Sequence, residues 1–395
     1  MRADEEIAVT DSTTVKIVHL IIDLDIGGAE MMLLKLAGAM RRSQFENVIV
    51  SMVDQGALLP RFQELGVPVY SLGMRYGQPS LAGLSRLTRL LQHTRPHILQ
   101  TWMYHANLLG LLAKRGKSPA LVWNIRASTV ELARYSRATR FNVWLGARLS
   151  GLPDKIVINS EAGARDHAGM GYRSQRMEVI PNGFDLERFR PDPQARRAIR
   201  QELGLDESRL MVGLVARYDP MKDHETFLRA AGLLVAQFPS AVFVMAGGGV
   251  VPNNPELAGL IAALKLQDQV VLLGERDDVP RLMQAMDIVA LSSVSEGFPN
   301  VIGEAMACGV PVVATDAGDS RRVVGDTGTI VPTRDPQALA DGLAGILRMP
   351  RGERQQLGQR ARDRIASEFS IERVAARYEA LYQSLADGFK AIPER

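Results

Sequence analysis

Apolar runs alternate with stretches of helical period along almost the whole chain. Val15–Ile22 is nearly all apolar, as expected of a strand buried on both faces of a parallel sheet. A helix is expected from about Glu30 to Met40. The strand signature then returns at Val48–Val53, Val67–Leu72, Ile98–Gln100, Leu121–Asn124 and Lys155–Ile158, with helical stretches between. A segment rich in charge and proline, Leu186–Pro193, interrupts the pattern. Beyond it strands are expected at Leu210–Val215, Val242–Ala246, Val270–Leu273, Asp287–Leu291 and Val310–Ala314. Asp223 is placed to cap a helix running to Ala236, and Ser370–Ala386 has amphipathic helical spacing. Alternating strand and helix predicts doubly wound parallel sheets, and the interruption predicts two of them.

In such sheets ligands sit beyond the carboxyl ends of the strands, so the loops there matter most. The richest is Ser295-Glu296-Gly297-Phe298-Pro299-Asn300, which follows the Asp287–Leu291 strand. Gly297 and Pro299 break regular structure, Val301–Cys308 has helical spacing, and Gly309 is placed to end that helix. Glu296 and Glu304 lie eight positions apart, a rise of ~12 Å along a helix. Glycosidase carboxylate pairs sit ~5 to 9.5 Å apart. The spacing suits one long ligand held at two points better than a hydrolytic pair. The N–H groups of Phe298, Asn300 and Val301 are expected to point off the helix start, where an anion or a sugar hydroxyl is welcome. The structural alternative is a buried strand-turn-helix with a single capping glutamate.

Glu296 and Glu304 in the setting SEGFPNVIGEAMACGVPVVAT resemble the Glu-x7-Glu motif of the retaining nucleotide-sugar glycosyltransferases of family 4. The resemblance runs over roughly Lys16–Thr333. It implies the α/β GT-B fold: two Rossmann-like, doubly wound parallel-sheet domains facing across a cleft. The corresponding division is a tail at 1–14, an acceptor-side domain at 15–189, a nucleotide-sugar domain at 190–370, and a helix at 371–395 that crosses back to the first domain. By resemblance Glu304 holds the ribose hydroxyls and Glu296 the transferred sugar. The loop residues Gly297, Phe298, Pro299, Asn300 and Val301 then lie against the donor. Gly27-Gly28 is similar to the family's first loop, whose glycines let the backbone approach the donor phosphate. His105, in TWMYHAN, resembles the histidine that contacts the transferred sugar; the other five histidines receive no role. Arg217 and Lys222 resemble the Arg-x4-Lys pair that clamps the diphosphate, a leaving group that gains charge in the transition state. The loop of Gly274 and Arg276 is similar to the one that passes the base. Asn182, in a PNGxD turn, is expected to support the cleft. At Asp316–Arg322 the chain has Ala317-Gly318 and arginines where many relatives carry Gly-Gly and a glutamate, so no site residue is carried over there.

Composition narrows the reading further. Charged residues make up 23% and hydrophobic ones 46%, and no apolar run approaches the ~18 to 20 residues that span a bilayer. The first residues are acidic and polar, so a secretory signal is not expected and a disordered tail is. Cys308, the only cysteine, is expected to be a buried, inert thiol. A net charge of +3 is too small to argue for nucleic acid. It is unevenly spread, with 23 Lys and Arg against 17 Asp and Glu up to Phe189. Arg126, Arg134, Arg137, Arg140 and Arg148 face only Glu131 in that segment and are interleaved with Tyr135, Phe141 and Trp144. Either this is a solvated helix face, capped by Ser128, or it is an acceptor groove or membrane-facing patch, with Arg126 and Arg134 as acceptor contacts. Asp23 and Asp25 form an Asp-x-Asp without an evident third ligand, so no metal and no cofactor is expected.

The expected function is retaining transfer of a hexose-type sugar from a nucleoside diphosphate donor to a glycan or lipid-linked acceptor in envelope or exopolysaccharide synthesis. The place expected is the cytoplasm or the inner face of the membrane. Two alternatives stay open: a GT-B sugar-nucleotide epimerase or phosphorylase, and a non-catalytic sugar-nucleotide binding protein.

Overall fold

The computed structural model describes residues 14–54, 56–78, 80–127 and 136–390. The anticipated tail, Ser128 and Arg134 lie outside the described residues. Two parallel sheets are present. The first contains β1 (Val15–Ile21), β2 (Phe45–Ser51), β3 (Val69–Ser71), β4 (Ile98–Trp102), β5 (Ala120–Ile125), β6 (Lys155–Ile158) and β7 (Met177–Val179). Their spatial order is β3-β2-β1-β4-β5-β6-β7. The second contains β8 (Met211–Val215), β9 (Val242–Ala246), β10 (Val270–Leu272), β11 (Ile288–Leu291), β12 (Val312–Thr315) and β13 (Thr329–Val331), in the order β10-β9-β8-β11-β12-β13.

The apolar runs account for the central strands. Within β1 only Lys16 is even partly exposed, and β4, β5, β9 and β11 are buried along their full length. Two edge strands, β7 and β13, had no counterpart in the expected set. Each is three residues long and partly exposed, so neither makes an apolar run. The helix after β11 runs over Asn300–Ala307, and Gly309 follows it at φ +72. Asp223 caps the His224–Val235 helix through the Thr226 N–H, as its position predicted.

Strand order reverses between β1 and β4 in the first sheet and between β8 and β11 in the second. These switch points open a crevice at the strands' carboxyl ends. What lies there is the Asp23–Gly28 loop and the Trp102–Met103 junction, where β4 passes directly into the Met103–Ala113 helix, on one side, and the Ala216–Asp223 and Ser292–Pro299 loops on the other. Every motif singled out for donor chemistry, except the Gly274 loop, falls on one of them or on the helix it starts.

The last helix, Ile371–Lys390, packs on the first sheet rather than the second. Ile371, Val374, Ala375, Tyr378, Leu381, Tyr382 and Ala386 join the core formed by β1 and the Gly28–Ala39 helix. Its hydroxyls are satisfied inside that core: Tyr382 donates to Gln100 (2.6 Å), and Tyr378 accepts from Asn124 (3.0 Å). Buried polar groups need such partners, and together these fix the helix against the sheet. Arg41 adds an ion pair to the buried Glu379 at 2.7 Å.

Candidate functional site

The second-domain half of the site is two loops tied together. After β8, Asp219 accepts from the Met221 N–H (2.8 Å) and shapes a short 3-10 turn over Pro220–Lys222. The Met221 carbonyl takes the Val294 N–H (2.9 Å), and Ser292 Oγ donates to the Lys222 carbonyl (2.8 Å). These bonds bring Lys222 Nζ to 2.6 Å from Glu296 Oε1, an oxygen that also accepts from Ser293 Oγ at 2.7 Å. Lys222 and Glu296, 74 residues apart in sequence, thus form one polar centre at the switch point. Arg217 stands at the same strand end with its side chain 72% exposed and 3.7 Å from Asp219. One cation of the expected clamp is held by a short ion pair and the other is largely exposed.

Two glycines make this closure possible. Gly247, at φ +148, lies so near the Ala216 carbonyl that a Cβ would collide with it. Gly318, at φ +57, is pressed against the Glu296 and Gly297 carbonyls in the same way. The sequence reading left the Asp316–Arg322 segment without a role, yet Gly318 is what lets it close over the glutamate loop.

Between the domains lies a cleft of about 890 Å³, lined among others by Gly27, Gly28, Lys35, Asn182, Arg188 and Glu304. A Cβ on Gly28 would meet nothing, so the first-domain wall is open there. Burial pushes the Glu304 carboxyl up to about 6, opposed by the charges of Lys35 and Arg188. Lys35 donates to the Gly183 carbonyl (2.8 Å) and sits 5.8 Å from the Phe184 ring centre. Burial lowers its pKa, and Glu304 works against that. The sequence reading missed Lys35. The signal was there: one lysine in an otherwise mostly apolar helix, GAEMMLLKLAGA.

Several anticipated contacts land elsewhere. Arg126 was expected to meet the acceptor. Its guanidinium instead donates to Asn124 (3.2 Å), to Tyr378 OH (3.1 Å) and to Asn182, and it lies 5.5 Å from the Trp102 ring centre. Asn182 in turn donates to Asn300 Oδ1 (2.6 Å). Arg126 is therefore a strut joining the first sheet, the last helix and, through Asn182, the start of the Asn300–Ala307 helix: both terminal nitrogens of its guanidinium bond inside the protein. Arg276 was expected beside the donor; it is paired with Glu202 (2.6 Å) and Asp278 (2.7 Å), which raise its pKa. Gly274 accepts from the Gly247 N–H (2.7 Å), so its loop braces the Gly247 turn. The Asn300 N–H bonds to the Phe298 carbonyl (3.0 Å), which removes it from the amides expected to face a ligand. Among the described residues no carbonyl takes the Val301 N–H. The Phe298 ring is buried between Phe184 and Phe369, both at 6.1 Å between ring centres, and anchors the loop. Pro299, also buried, precedes the helix as its cap.

On the first-domain side His105 occupies the first turn of the Met103–Ala113 helix, partly buried, and burial lowers its pKa. Met103, which starts that helix, has φ +69, a costly conformation for a residue with a side chain. Asp23 and Asp25 bond within their loop and to the loops after β2 and β3. Asp23 accepts from Tyr76 OH (2.8 Å) and from the Asp25 N–H (3.0 Å), and Asp25 accepts from the Ala57 N–H (3.3 Å). Asp319 reaches across the domains: its carboxylate accepts the N–H groups of Glu161 and Ala162, both at 2.9 Å. It thereby caps a first-domain helix, Glu161–Gly169, and Arg322 adds a 3.5 Å contact to Glu161.

Comparison with known proteins agrees with the fold. The profile "Glycosyltransferase Family 4" matches residues 26–188, and "Glycosyl transferases group 1" matches residues 195–364. The D-inositol 3-phosphate glycosyltransferase of Mycobacterium tuberculosis is 33% identical over 253 residues, covering 61% of this chain and 51% of that protein. The chain thus spans about half the length of the curated relatives it matches. The crystal structure of Anabaena HepE in complex with UDP aligns with a TM-score of 0.80 at 25% identity, over 94% of this chain and all of that one. The sucrose-phosphate synthase of Thermosynechococcus elongatus shares the fold, with a TM-score of 0.76 at 20% identity over 94% of this chain and all of that one.

Proposed function

The chain belongs to the family 4 glycosyltransferases, and from that premise we propose that it moves a sugar from a nucleoside diphosphate donor to an acceptor hydroxyl with retention of anomeric configuration. The observation that carries this reading is the Lys222–Glu296 pair at the switch point of the second sheet, with Glu304 on the cleft wall of the same domain. The donor's diphosphate lies against Lys222 and the exposed Arg217, its ribose diol against Glu304, and its sugar between Glu296 and His105. A uridine nucleotide is the donor we propose, on the strength of the UDP bound by the Anabaena relative.

The reaction breaks the bond between the anomeric carbon and the diphosphate oxygen and forms one to the acceptor oxygen. The acceptor proton passes to the departing phosphate oxygen on the same face, so no covalent nucleophile is needed. Lys222 and Arg217 stabilise the charge that develops on the leaving group, and Glu296 fixes the sugar. Because these two cations supply the positive charge, we infer that no metal is required. The acceptor approaches from the first domain, and we place it in envelope or exopolysaccharide glycan synthesis on a lipid carrier.

A panel of nucleotide sugars scored by thermal shift, then by product analysis with and without acceptor, tests the reading. UDP-sugars are expected to raise the melting temperature, and product is expected to be α-linked from an α-linked donor with EDTA present. An epimerised donor without acceptor, or an inverted product, overturns it.

A further inference from the structure

The helix Arg137–Leu149 carries a feature that sugar transfer does not use. Its inner face is ordinary: Val143, Gly146 and Ala147 are buried, against a core shared with Tyr104, Leu109 and Tyr172. Its outer face is not. Phe141 is 56% and Trp144 52% exposed, with their ring centres 5.7 Å apart. Arg148 stacks over Trp144 at 5.2 Å, and Arg137 and Arg140 are exposed on the turns before. Positions 137, 141, 144 and 148 recur at helical spacing and form one stripe, and the thirteen-residue helix holds no acidic side chain. Just beyond its end Leu152 is 58% exposed.

Two large aromatics left in water cost free energy that burial against the sheet would have avoided, and single exposed apolar residues are common but paired aromatics ringed by arginine are not a solvated face. An indole settles at the boundary between headgroups and acyl chains, a phenyl ring beside it buries its apolar face there, and arginines snorkel from there to lipid phosphates. A groove-binding peptide would need a concave surface, and this one is convex by virtue of being the outside of a helix. We propose that the Phe141–Trp144 stripe, with Arg137, Arg140 and Arg148, docks the first domain on an anionic lipid bilayer. The docked helix packs beside the Met103–Ala113 helix whose first turn holds His105. Docking would therefore hold the acceptor side of the cleft near the surface. This deepens the functional reading above, resting on it for the purpose of docking though not for docking itself.

The test is co-sedimentation of the full chain with vesicles, comparing phosphatidylcholine alone with phosphatidylcholine containing phosphatidylglycerol. Wild type is expected to partition onto the anionic vesicles and not the neutral ones. F141S/W144S is expected to lose at least about tenfold in partitioning. R137Q/R140Q/R148Q is expected to lose roughly a hundredfold, since each basic residue near such a surface contributes about a factor of five. Both variants should keep the wild-type melting temperature and the wild-type thermal shift with UDP. Wild type that stays in solution with anionic vesicles overturns the proposal, as does binding that neither variant weakens. So does a wild-type dimer in sedimentation velocity that F141S/W144S converts to monomer without any vesicle binding, because the stripe is then a contact between copies. Loss of the UDP shift in wild type with vesicle binding intact counts against the functional reading alone.

Discussion

At the scale of single residues, the decisive contact is Lys222 with Glu296. The pair is 2.6 Å apart, and the two side chains are only 25% and 10% exposed. Removing one partner leaves the other partly buried and unpaired, which costs more than the pair contributes. A double-mutant cycle separates structure from catalysis. Lys222→Ala and Glu296→Gln are each expected to lower kcat/KM by at least about a hundredfold, with the double variant far from additive in stability. Single variants that keep kcat/KM within a few-fold of wild type contradict the assignment. Glu304 gives a pH signature. Burial raises its carboxyl to about 6, so the ionised form, which we propose accepts the ribose hydroxyls, is lost as pH falls through that value. Donor affinity is expected to fall below about pH 6 in wild type. In Glu304→Gln it is expected to be weak at every pH. Isothermal titration with UDP between pH 5 and 8 reads both, and a flat wild-type profile contradicts the role given to Glu304.

Elements impose their own constraints, and here the sequence was partly legible. The central strands announce themselves because they are buried on both faces, and Asp223, Gly309 and the glycine loops are legible from backbone chemistry alone. The edge strands β7 and β13 are not, since three half-exposed residues carry no period. Side-chain partners across 50 or more residues are not legible either: nothing local to Arg126 says that Asn182 and Tyr378 will consume it, and nothing local to Arg276 points to Glu202. Gly318 shows how loop and loop depend on each other. Gly318→Ala combines a clash with the Glu296 carbonyl and a positive φ, so a loss of about 1 to 3 kcal/mol is expected, read by urea unfolding together with weaker UDP binding. Gly345→Ala, in the Pro336–Leu347 helix with open space around it, is the control and is expected to be neutral or stabilising. Equal effects in the two variants contradict the closure described for the glutamate loop.

For the whole molecule, function depends on how two sheets are held at one separation. Three kinds of contact do so among the described residues: the last helix returning to the first sheet, the Arg126–Asn182–Asn300 chain, and Asp319 capping the Glu161–Gly169 helix. Of these, Asp319 adjoins Gly318 on the segment that closes over the glutamate loop, and its carboxylate meets a helix N-terminus, where negative charge is favoured. Asp319→Ala is expected to loosen the closed arrangement, seen as a larger radius of gyration by small-angle scattering and a raised KM with kcat less affected. An unchanged radius and KM contradict a clamp at that point. The central claim is that the second domain grips a nucleoside diphosphate at both ends. A crystal structure with UDP bound tests it most directly. The account predicts Lys222 Nζ ~2.8 Å from a phosphate oxygen and the Glu304 carboxylate on the ribose diol. UDP bound with Lys222 still on Glu296 and away from both phosphates, or with the ribose turned from Glu304, contradicts it.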